Sequence, residues 1–462
     1  MRTERVARAL LATALAVGSG CAAAHASSRS WVISRPPPTP TTQHTYSLNQ
    51  LIRLALSISP QNHAAEAQLR QARLSTRLVR SQYAPQIDFK TLAGMQHTPL
   101  AIPRTVSRRG YFISHAQEVL PSLELKWLLF DFGRRRGQLQ AARQQARAAA
   151  ASFSGEREKL VFEVTRAYFT ATSAQGKVHA AKQALQAALL TEQAVVDQRR
   201  HGRATVVQVA EAHRQSAAMR LRKTQAEGDA RTAFANLLAT VGMSPDAHFS
   251  LVVPGDASVA QTPLQPLRAE LDRAMRDRPD IRAAQSQVLA AEANVTTAHA
   301  AYRPTIGLKV SVFQNIGRTS SDGSPYSRID REGNSVFLSF QLPLADGGAR
   351  ATHVAIANAK ESQAEDALAA TKDTAARQVV QSWNDLRTSL DNRRQARDYA
   401  HAAALAYQAS LDAYRHGLSS INALSDDEAA LARAEASQQA ADADVLIAHA
   451  ALDLATGTQV SP

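Results

Sequence analysis

The chain has 462 residues, of which aromatic residues make up only 5% and charged residues 20%. Ala, Gln and Arg recur throughout, and this composition favours long helices over large globular cores. The formal net charge of +13 would suit a nucleic-acid partner. However, acidic residues stand between the arginines and no aromatic stacking pattern accompanies them, so we expect no binding of nucleic acid.

The first residues predict an export signal. Three early arginines precede an apolar run, and Ala24-His25-Ala26 offers a small-residue cleavage site. We assign residues 1–26 to this signal peptide. An alternative is lipoprotein processing at Cys21, the sole cysteine, although Gly18 replaces the bulky aliphatic residue usual at such sites. Cleavage after Ala26 would leave an exported chain with neither disulfides nor thiolate ligands.

A proline-rich segment follows the signal. Residues 27–47 include the run Arg35–Pro40, which cannot be helical and predicts an extended linker. Beyond the signal, no stretch approaches the roughly 18 to 20 apolar residues that a membrane-spanning helix needs. Any crossing of a membrane would therefore be made by strands.

The rest of the chain is an internal repeat, which fixes the architecture before any local assignment. The matching motifs are Asp131-Phe132-Gly133 with Asp346-Gly347-Gly348, Arg200-His201-Gly202 with Arg415-His416-Gly417, and Tyr83-Ala84-Pro85 with Tyr302-Arg303-Pro304. The first two pairs are offset by 215 residues and the third by 219. We assign residues 48–262 to the first repeat and 263–459 to the second, with a variable loop between their fixed elements.

Periodicity predicts the same elements in both repeats. Each begins with a helix that bends at a proline, over Leu48–Tyr83 (Pro60) and Leu267–Tyr302 (Pro279). Alternating apolar residues then predict strands over residues 85–96 and 117–130, and over 305–314 and 335–344. Long helices follow over residues 134–199 and 348–415, and return helices over 203–242 and 418–457. In the first long helix, apolar residues step by three and four, which is typical of a coiled coil.

Strands of about ten residues with one apolar face match the length that crosses an outer membrane, although the edge of a soluble sandwich would look similar. Lipid tolerates no open sheet edge, and four strands cannot close a barrel. Closure therefore requires several copies, and an aqueous lumen needs about twelve strands, hence at least three copies. The predicted fold class is mostly α, with a transmembrane β-barrel continued by a helical barrel of about 100 Å.

The order and duplication of several stretches resemble the TolC family of outer-membrane factors. These stretches are Leu48–Leu56 followed by Pro60, Tyr83–Ile87, Leu129–Gly133 and Leu342–Gly348. The resemblance implies a homotrimer with a twelve-stranded barrel in outer-membrane lipid and a periplasmic tip that docks onto an adaptor (membrane fusion) protein. It further implies an inner-membrane transporter of the RND, ABC or MFS type, and thus a channel of a tripartite efflux pump or type I secretion system.

The same resemblance implies roles for residues near the tip. The turn motif of the family matches His201-Gly202-Arg203 and His416-Gly417-Leu418, which we expect to contact the adaptor, with histidine replacing valine in both. Tyr414 matches a tyrosine that helps to close the aperture, and Asp426 matches an acidic pore position. Two further positions of that gate are Ala423 and Gln208 here rather than acidic residues. The histidines serve either as turn residues or as groups whose protonation loosens the aperture.

Motifs of enzymes and cofactor sites are absent from the sequence. Asp131-Phe132-Gly133 spells a kinase motif but lacks its companion loops, and no phosphate loop, metal-binding His-Glu pattern or nucleophile elbow occurs. We therefore expect no enzymatic activity, no cofactor and no metal site. The competing interpretation is a periplasmic coiled-coil adaptor or structural protein, which shares long helices but does not require two pairs of amphipathic strands. The sequence does not identify the transported cargo.

Overall fold

The computed structural model describes residues 45–105, 108–252 and 264–458. The predicted signal peptide, Cys21 and residues 27–44 of the predicted linker lie outside the described residues. The last part of that linker is folded, because Thr45–Tyr46 (β1) pairs in parallel with Ser250–Leu251 (β4). The tyrosine ring packs against Phe249 at 4.8 Å between centroids.

The described chain alternates helical and extended segments in two matching halves. The helices are α1 (Leu48–Ile58), α2 (Pro60–Ser81), α3 (Arg134–Arg200), α4 (Val206–Val241), α5 (Leu267–Asp277), α6 (Pro279–Ala300), α7 (Ala349–Arg415) and α8 (Ile421–Thr456). The longer strands are β2 (Gln86–Ala101), β3 (Tyr111–Phe130), β5 (Thr305–Ser321) and β6 (Ser327–Gln341). Each half therefore has a helix pair, a hairpin, a long helix and a return helix.

At each predicted proline bend the structure has two separate helices. Ser59 and Arg278 adopt extended backbone, with ψ of 124° and 128°, and Pro60 and Pro279 begin the next helix. The physical reason is that a proline ring disfavours helical geometry in the residue before it, while its own fixed φ suits a first helical position. The prediction of one bent helix is corrected in this respect.

The four longer strands form one antiparallel sheet in the order β2-β3-β5-β6. They contain 16, 20, 17 and 15 residues, so they are longer than the predicted ten or so. The added residues extend both hairpins away from the helices, for example over Thr98–Ala101 and Ser114–Tyr111. Hydrophobic alternation disappears in these outer parts, which is why periodicity did not predict them.

The helices continue the sheet as a wall one helix thick. In the half next to the sheet the neighbours run in the order α2-α3-α6-α7, and in the distant half in the order α4-α3-α8-α7. Because α3 and α7 contain 67 residues each, both helices are about 100 Å long and run through both halves of the wall. Within the described residues, no helix combines the length and apolar character needed to cross a membrane.

The largest core cluster joins the two halves of the wall near the middle of α3. Its fully buried members include Leu51 of α1, Val164 of α3 and Leu237 of α4. The Tyr168 hydroxyl donates to the carbonyl of Val252 and so holds the end of β4 against α3. Most of the predicted coiled-coil positions of α3 are small alanines, and small side chains let neighbouring helix axes approach closely.

Candidate functional site

The end of the wall distant from the sheet brings two turns side by side. One turn joins α3 to α4 and the other joins α7 to α8. A buried cluster of Val195, Ala212, Ile421 and Leu424 connects these four helices, with Tyr414 partly buried against it. We call this end the tip; it contains every site residue that the sequence predicted.

The two turns have nearly the same geometry. Gly202 and Gly417 adopt positive φ values of 72° and 74°, which β-carbon-bearing residues rarely adopt. The next backbone amides reach back to the helix: Arg203 N donates to the Gln198 carbonyl and Leu418 N to the Ala413 carbonyl, both at 2.8 Å. Glycine therefore allows each long helix to end abruptly and reverse.

Both histidines hydrogen-bond to the end of their own helix. His201 Nδ1 lies 2.8 Å from the Asp197 carbonyl oxygen, and His416 Nδ1 lies 2.8 Å from that of Asp412. Because a carbonyl can only accept, Nδ1 carries the proton in both rings. Both rings remain exposed. Each histidine thus adds a side-chain hydrogen bond to a carbonyl at the helix end that also accepts the histidine's own backbone N–H.

Exposed apolar side chains surround the turns. Leu418 is 84% exposed, and Val206 and Val207, in the first turn of α4, are 61% and 77% exposed. Sequence reasoning identified Leu418 but missed the two valines, although their place directly after a glycine turn and a Thr205 cap was a usable signal. Exposed apolar residues grouped at the end of a rod are typical of a contact surface.

Tyr414 and Asp426 occupy different surroundings within the tip. The Tyr414 hydroxyl lies 3.5 Å from Gln198 Oε1, and burial raises the pKa of this tyrosine. Asp426 is exposed on α8. Hydrogen bonding and charge from Glu211 raise the pKa of Arg214, and Asp426 adds a smaller electrostatic contribution. Within one copy, Tyr414 therefore links α7 to α3, while Asp426 faces solvent near a basic residue of α4.

Gln208 and Ala423, at which the resemblance implied gate positions without acidic residues, each make a local hydrogen bond. Gln208 Oε1 accepts from the backbone N–H of Thr205 at 2.8 Å, and so caps the start of α4. Ala423 donates its backbone N–H to the Ser420 hydroxyl at 3.2 Å. Both lie in the first turn of a return helix. Neither contributes charge to the tip, because glutamine and alanine side chains do not ionise.

A buried carboxyl group at the tip was not identified from the sequence. Glu428 is only 3% exposed, and its Oε1 has no hydrogen-bond partner among the described residues. Burial raises its pKa to about 7, while hydrogen bonding to Gln215 of α4 opposes the shift. The charge of Glu428 in turn contributes, after burial, to the raised pKa of Tyr407 on α7. No local motif marks such a residue, because its burial depends on two other helices.

The sheet at the opposite end has a polar face. Lys90 Nζ lies 3.0 Å from Glu124, and Lys126 lies 3.2 Å from the same carboxylate and 4.0 Å from Asp88. Lys309 of β5 lies 3.9 Å from Glu124 as well. These charged side chains lie close to the helical wall and require contact with water, since burying them in lipid would be costly.

The other face of the sheet is apolar and exposed. Strand register places Ile87, Leu125, Val310 and Val336 in one row across all four strands. Of these, Ile87 is 63% and Val336 is 68% exposed. Exposed aliphatic and aromatic side chains on one face and charged side chains on the other are typical of a β-sheet that separates lipid from water.

The described residues show no arrangement suited to a metal. No group of three or more His, Cys, Asp or Glu side chains within residues 45–105, 108–252 and 264–458 could hold an ion. The features that stand out are therefore two surfaces, the tip and the two-faced sheet.

Comparison with known proteins assigns this architecture to a family. The family model "Outer membrane efflux protein" matches residues 51–243 and 271–458. Protein CyaE of Bordetella pertussis is 27% identical over 360 residues, covering 77% of this chain and 73% of that protein. Outer membrane efflux protein BepC of Brucella suis is 26% identical over 391 residues, covering 82% and 78%.

Solved structures support the same fold. The outer-membrane channel OprN superimposes with a TM-score of 0.73 at 24% identity, covering 89% of this chain and 90% of that one. The family match favours the channel interpretation over the periplasmic adaptor, because it includes both hairpins and all the long helices. The chain therefore belongs to the outer membrane efflux protein family and is an efflux channel protein of the Gram-negative outer membrane.

Proposed function

We propose that three copies of this chain form one duct through the outer membrane and the periplasm. The observation that carries this proposal is the four-stranded sheet whose outer strands, β2 and β6, pair on one side only among the described residues. In lipid, each unpaired peptide group costs several kcal/mol, so the edges require partners. Three copies supply twelve strands, and β2 of one copy would pair with β6 of the next.

The two faces of the sheet support this arrangement. In a closed barrel the apolar face contacts lipid, and the polar face with Lys90, Glu124 and Lys126 lines an aqueous lumen. Below the barrel, the helical walls of three copies would enclose a tunnel of about 100 Å. Such a tunnel carries solutes from the inner side of the periplasm to the exterior without releasing them on the way.

At the tip, the proposed partners are a periplasmic adaptor protein and, through it, an inner-membrane transporter of the RND, ABC or MFS type. The contact residues would be those of the two turns, His201, Gly202 and Arg203 with His416, Gly417 and Leu418. The exposed Leu418 supplies the apolar area that a stable contact needs. Tyr414 and Asp426 would act in the aperture, the tyrosine by holding α7 against α3 and the carboxylate by facing the lumen.

Cysteine cross-linking across the sheet edges tests the trimer. Leu92→Cys in β2 is combined in turn with Ser335→Cys, Phe337→Cys or Ser339→Cys in β6. Three partners are used because one copy alone does not define the strand register between β2 and the β6 of its neighbour. Oxidation should link copies covalently in at least one combination, and the product should migrate as a trimer. Leu92→Cys with Ser311→Cys is the control, since β5 lies inside the sheet. Monomers in all β6 combinations would contradict the proposal.

A further inference from the structure

Two stripes of arginine follow neighbouring helices just below the sheet. Arg70, Arg73, Arg77 and Arg80 recur every three or four residues along α2, and Arg136, Arg143 and Arg147 follow one another at intervals of seven and four residues along α3. All seven are exposed. Spacing of this kind places each set on one side of its helix.

The contacts between helices show where these sides point. α3 packs against α6 at Gly137 and against α2 where Thr76 donates to the Ala142 carbonyl at 3.1 Å. At about 100° per residue along the chain, the α3 stripe lies about 120° from Ala142, the contact with α2. Counted in the same way along α2, the α2 stripe lies about 80° from Thr76, in the same rotational sense. Because these neighbouring helices are antiparallel, an equal sense of rotation places both stripes on the same side of the wall.

This side is continuous with the apolar face of the sheet. In β3, odd-numbered residues hydrogen-bond to β5, since Ile113 O accepts from Asp322 N at 3.0 Å, just beyond the end of β5. Even-numbered residues hydrogen-bond to β2, since Gly110 O, just before β3, accepts from Ile102 N at 3.0 Å. In a strand of L-amino acids, the neighbour to which a residue hydrogen-bonds determines the face on which its side chain lies. The odd-numbered side chains of β3, such as Trp127 and Leu125 of the apolar face, therefore lie on the same side as the arginines. We call the seven residues the arginine patch.

The arginine patch has little internal compensation. Only Arg70 has an ion-pair partner, Glu66 at 3.3 Å, and Arg147 is 3.4 Å from the Gln144 amide oxygen. Among the described residues, the other five arginines have neither a side-chain hydrogen bond nor an ion pair. Free arginines this close together repel one another, so the fold alone gives no reason for grouping them.

The second repeat supports this conclusion, since it has the same elements without the charge. At the offsets of 219 and 215, the matching residues are Leu289, Glu292, Thr296, His299, Ala351, Asn358 and Ser362. None is a lysine or arginine. By contrast, Arg135 keeps its counterpart Arg350, so arginine is retained in both repeats where packing requires it.

The height of the patch relative to the membrane indicates its partner. Arg80 and Arg136 lie within a few residues of Ile87 and Phe130, where the apolar band begins, and the patch extends about 15 Å from there. Phosphate headgroups occupy the first several ångströms beyond the hydrocarbon, and arginine binds phosphate through paired hydrogen bonds. We propose that the arginine patch binds anionic phospholipid headgroups of the periplasmic leaflet, a proposal that rests on the sheet crossing the membrane as described above.

Trp127 provides a reporter for the test. It lies on the same side as the patch, and its indole N–H donates to the Tyr83 carbonyl at 3.0 Å, three residues beyond Arg80. The purified protein is placed in phosphatidylcholine vesicles containing either brominated phosphatidylglycerol or brominated phosphatidylcholine. Quenching by bromine reports which lipid lies beside the indole, and the signal of Trp127→Phe is subtracted to remove the other tryptophans.

The wild type should prefer phosphatidylglycerol about threefold or more at low salt, and 1 M salt should reduce this preference. The variant R77Q/R80Q/R136Q should lose the preference. The control K182Q/R220Q/R231Q removes the same charge from α3 and α4, far from the sheet, and should retain it. Equal loss in both variants, or no preference in the wild type, would overturn the proposal.

Two further measurements separate the alternatives. If R77Q/R80Q/R136Q binds less to sedimented peptidoglycan while its lipid preference is unchanged, the patch is a cell-wall surface and the proposal is wrong. Single-channel conductance in the same vesicles tests the duct. A conducting wild type without lipid preference overturns the lipid proposal alone, whereas failure of the β2 to β6 cross-linking between copies overturns the duct and this proposal with it.

Discussion

Asp131 accepts two hydrogen bonds from Arg135, one from the backbone N–H at 2.9 Å and one from the guanidinium Nε at 2.8 Å. Only 8% of the aspartate and 7% of the arginine side chain are exposed. The guanidinium also donates to the Gln82 and Leu129 carbonyls and lies 4.7 Å from the centre of the Tyr83 ring. One arginine therefore joins the end of α2, the end of β3 and the start of α3.

We expect Asp131→Asn to destabilise the protein by about 3 kcal/mol, because it leaves a buried guanidinium without its counter-charge. Thermal unfolding in detergent, followed by circular dichroism, measures the effect. Since the pair lies where the sheet meets the helices, heat should also dissociate the proposed trimer at a lower temperature.

The second repeat offers the matched control for this prediction. Asp346 accepts from Arg350 Nε at 2.7 Å in the same way, but 31% of this aspartate is exposed. Water can replace the lost contact there, so Asp346→Asn should lower the unfolding temperature less than Asp131→Asn. Equal losses would show that burial does not determine the strength of these pairs.

The long helices were predictable because their signals are local. Periodicity gave residues 134–199 and 348–415, and the helices run from Arg134 to Arg200 and from Ala349 to Arg415. Their ends are marked by glycines with positive φ, such as Gly202 and Gly417, which the sequence displays directly. The repeat made each half a check on the other.

Other features were not predictable because they depend on distant contacts. In the outer parts of the hairpins, apolar and polar residues do not alternate regularly, so only the pairing of one strand with the next shows that they are strands. His97, which pairs with His115, is an example. The burial of Glu428 depends on α7 and also on α4, which is far away in the sequence. The sequence shows the seven arginines of the arginine patch, but only the packing of α2 against α3 shows that they lie on the same side of the wall.

The glycine at the end of α8 should be more sensitive to substitution than those of the tip. Gly457 has a φ of 70°, and an added Cβ would lie 2.8 Å from Arg278 Cα and N. Gly202 has a φ of 72° but open space around it. Gly202→Ala should therefore cost about 1 kcal/mol for the backbone conformation alone.

For Gly457→Ala, a backbone clash adds to that cost and disturbs the hydrogen bond that Arg278 Nη1 donates to the Ala455 carbonyl at 2.9 Å. We expect a markedly lower unfolding temperature than for Gly202→Ala. Chemical or thermal denaturation of both variants in one detergent makes the comparison, and similar stabilities would contradict the clash.

Leu418 should contribute strongly to binding of the adaptor at the proposed tip. Its side chain is 84% exposed in one copy, and burying a leucine stabilises a contact by about 2 kcal/mol. Leu418→Asn should thus weaken binding of a purified adaptor more than tenfold in a pull-down or interferometry assay. Leu221→Asn is the control, since Leu221 is 60% exposed about 20 Å from the turn. Equal weakening by both would argue against a contact centred on the turn.

Glu428 should make the stability of the tip depend on pH. Its pKa is raised from an ordinary 4.5 to about 7 by burial, so the folded protein disfavours the ionised carboxylate. For a carboxyl group shifted upwards, the folded state holds its proton more tightly than the unfolded state. Its contribution to stability is therefore present below pH 4.5, declines as pH rises, and is fully lost above about pH 7.

Glu428→Gln removes this ionisation while preserving the shape of the side chain. The variant should match the wild type near pH 4.5 and unfold about 3 °C or more above it at pH 8. Asp426→Asn is the control: it lies two residues away but is exposed, and it should not reproduce the pH-dependent difference. If Glu428→Gln changed the unfolding temperature equally at both pH values, the effect would come from packing, and ionisation of Glu428 would not govern the stability of the tip.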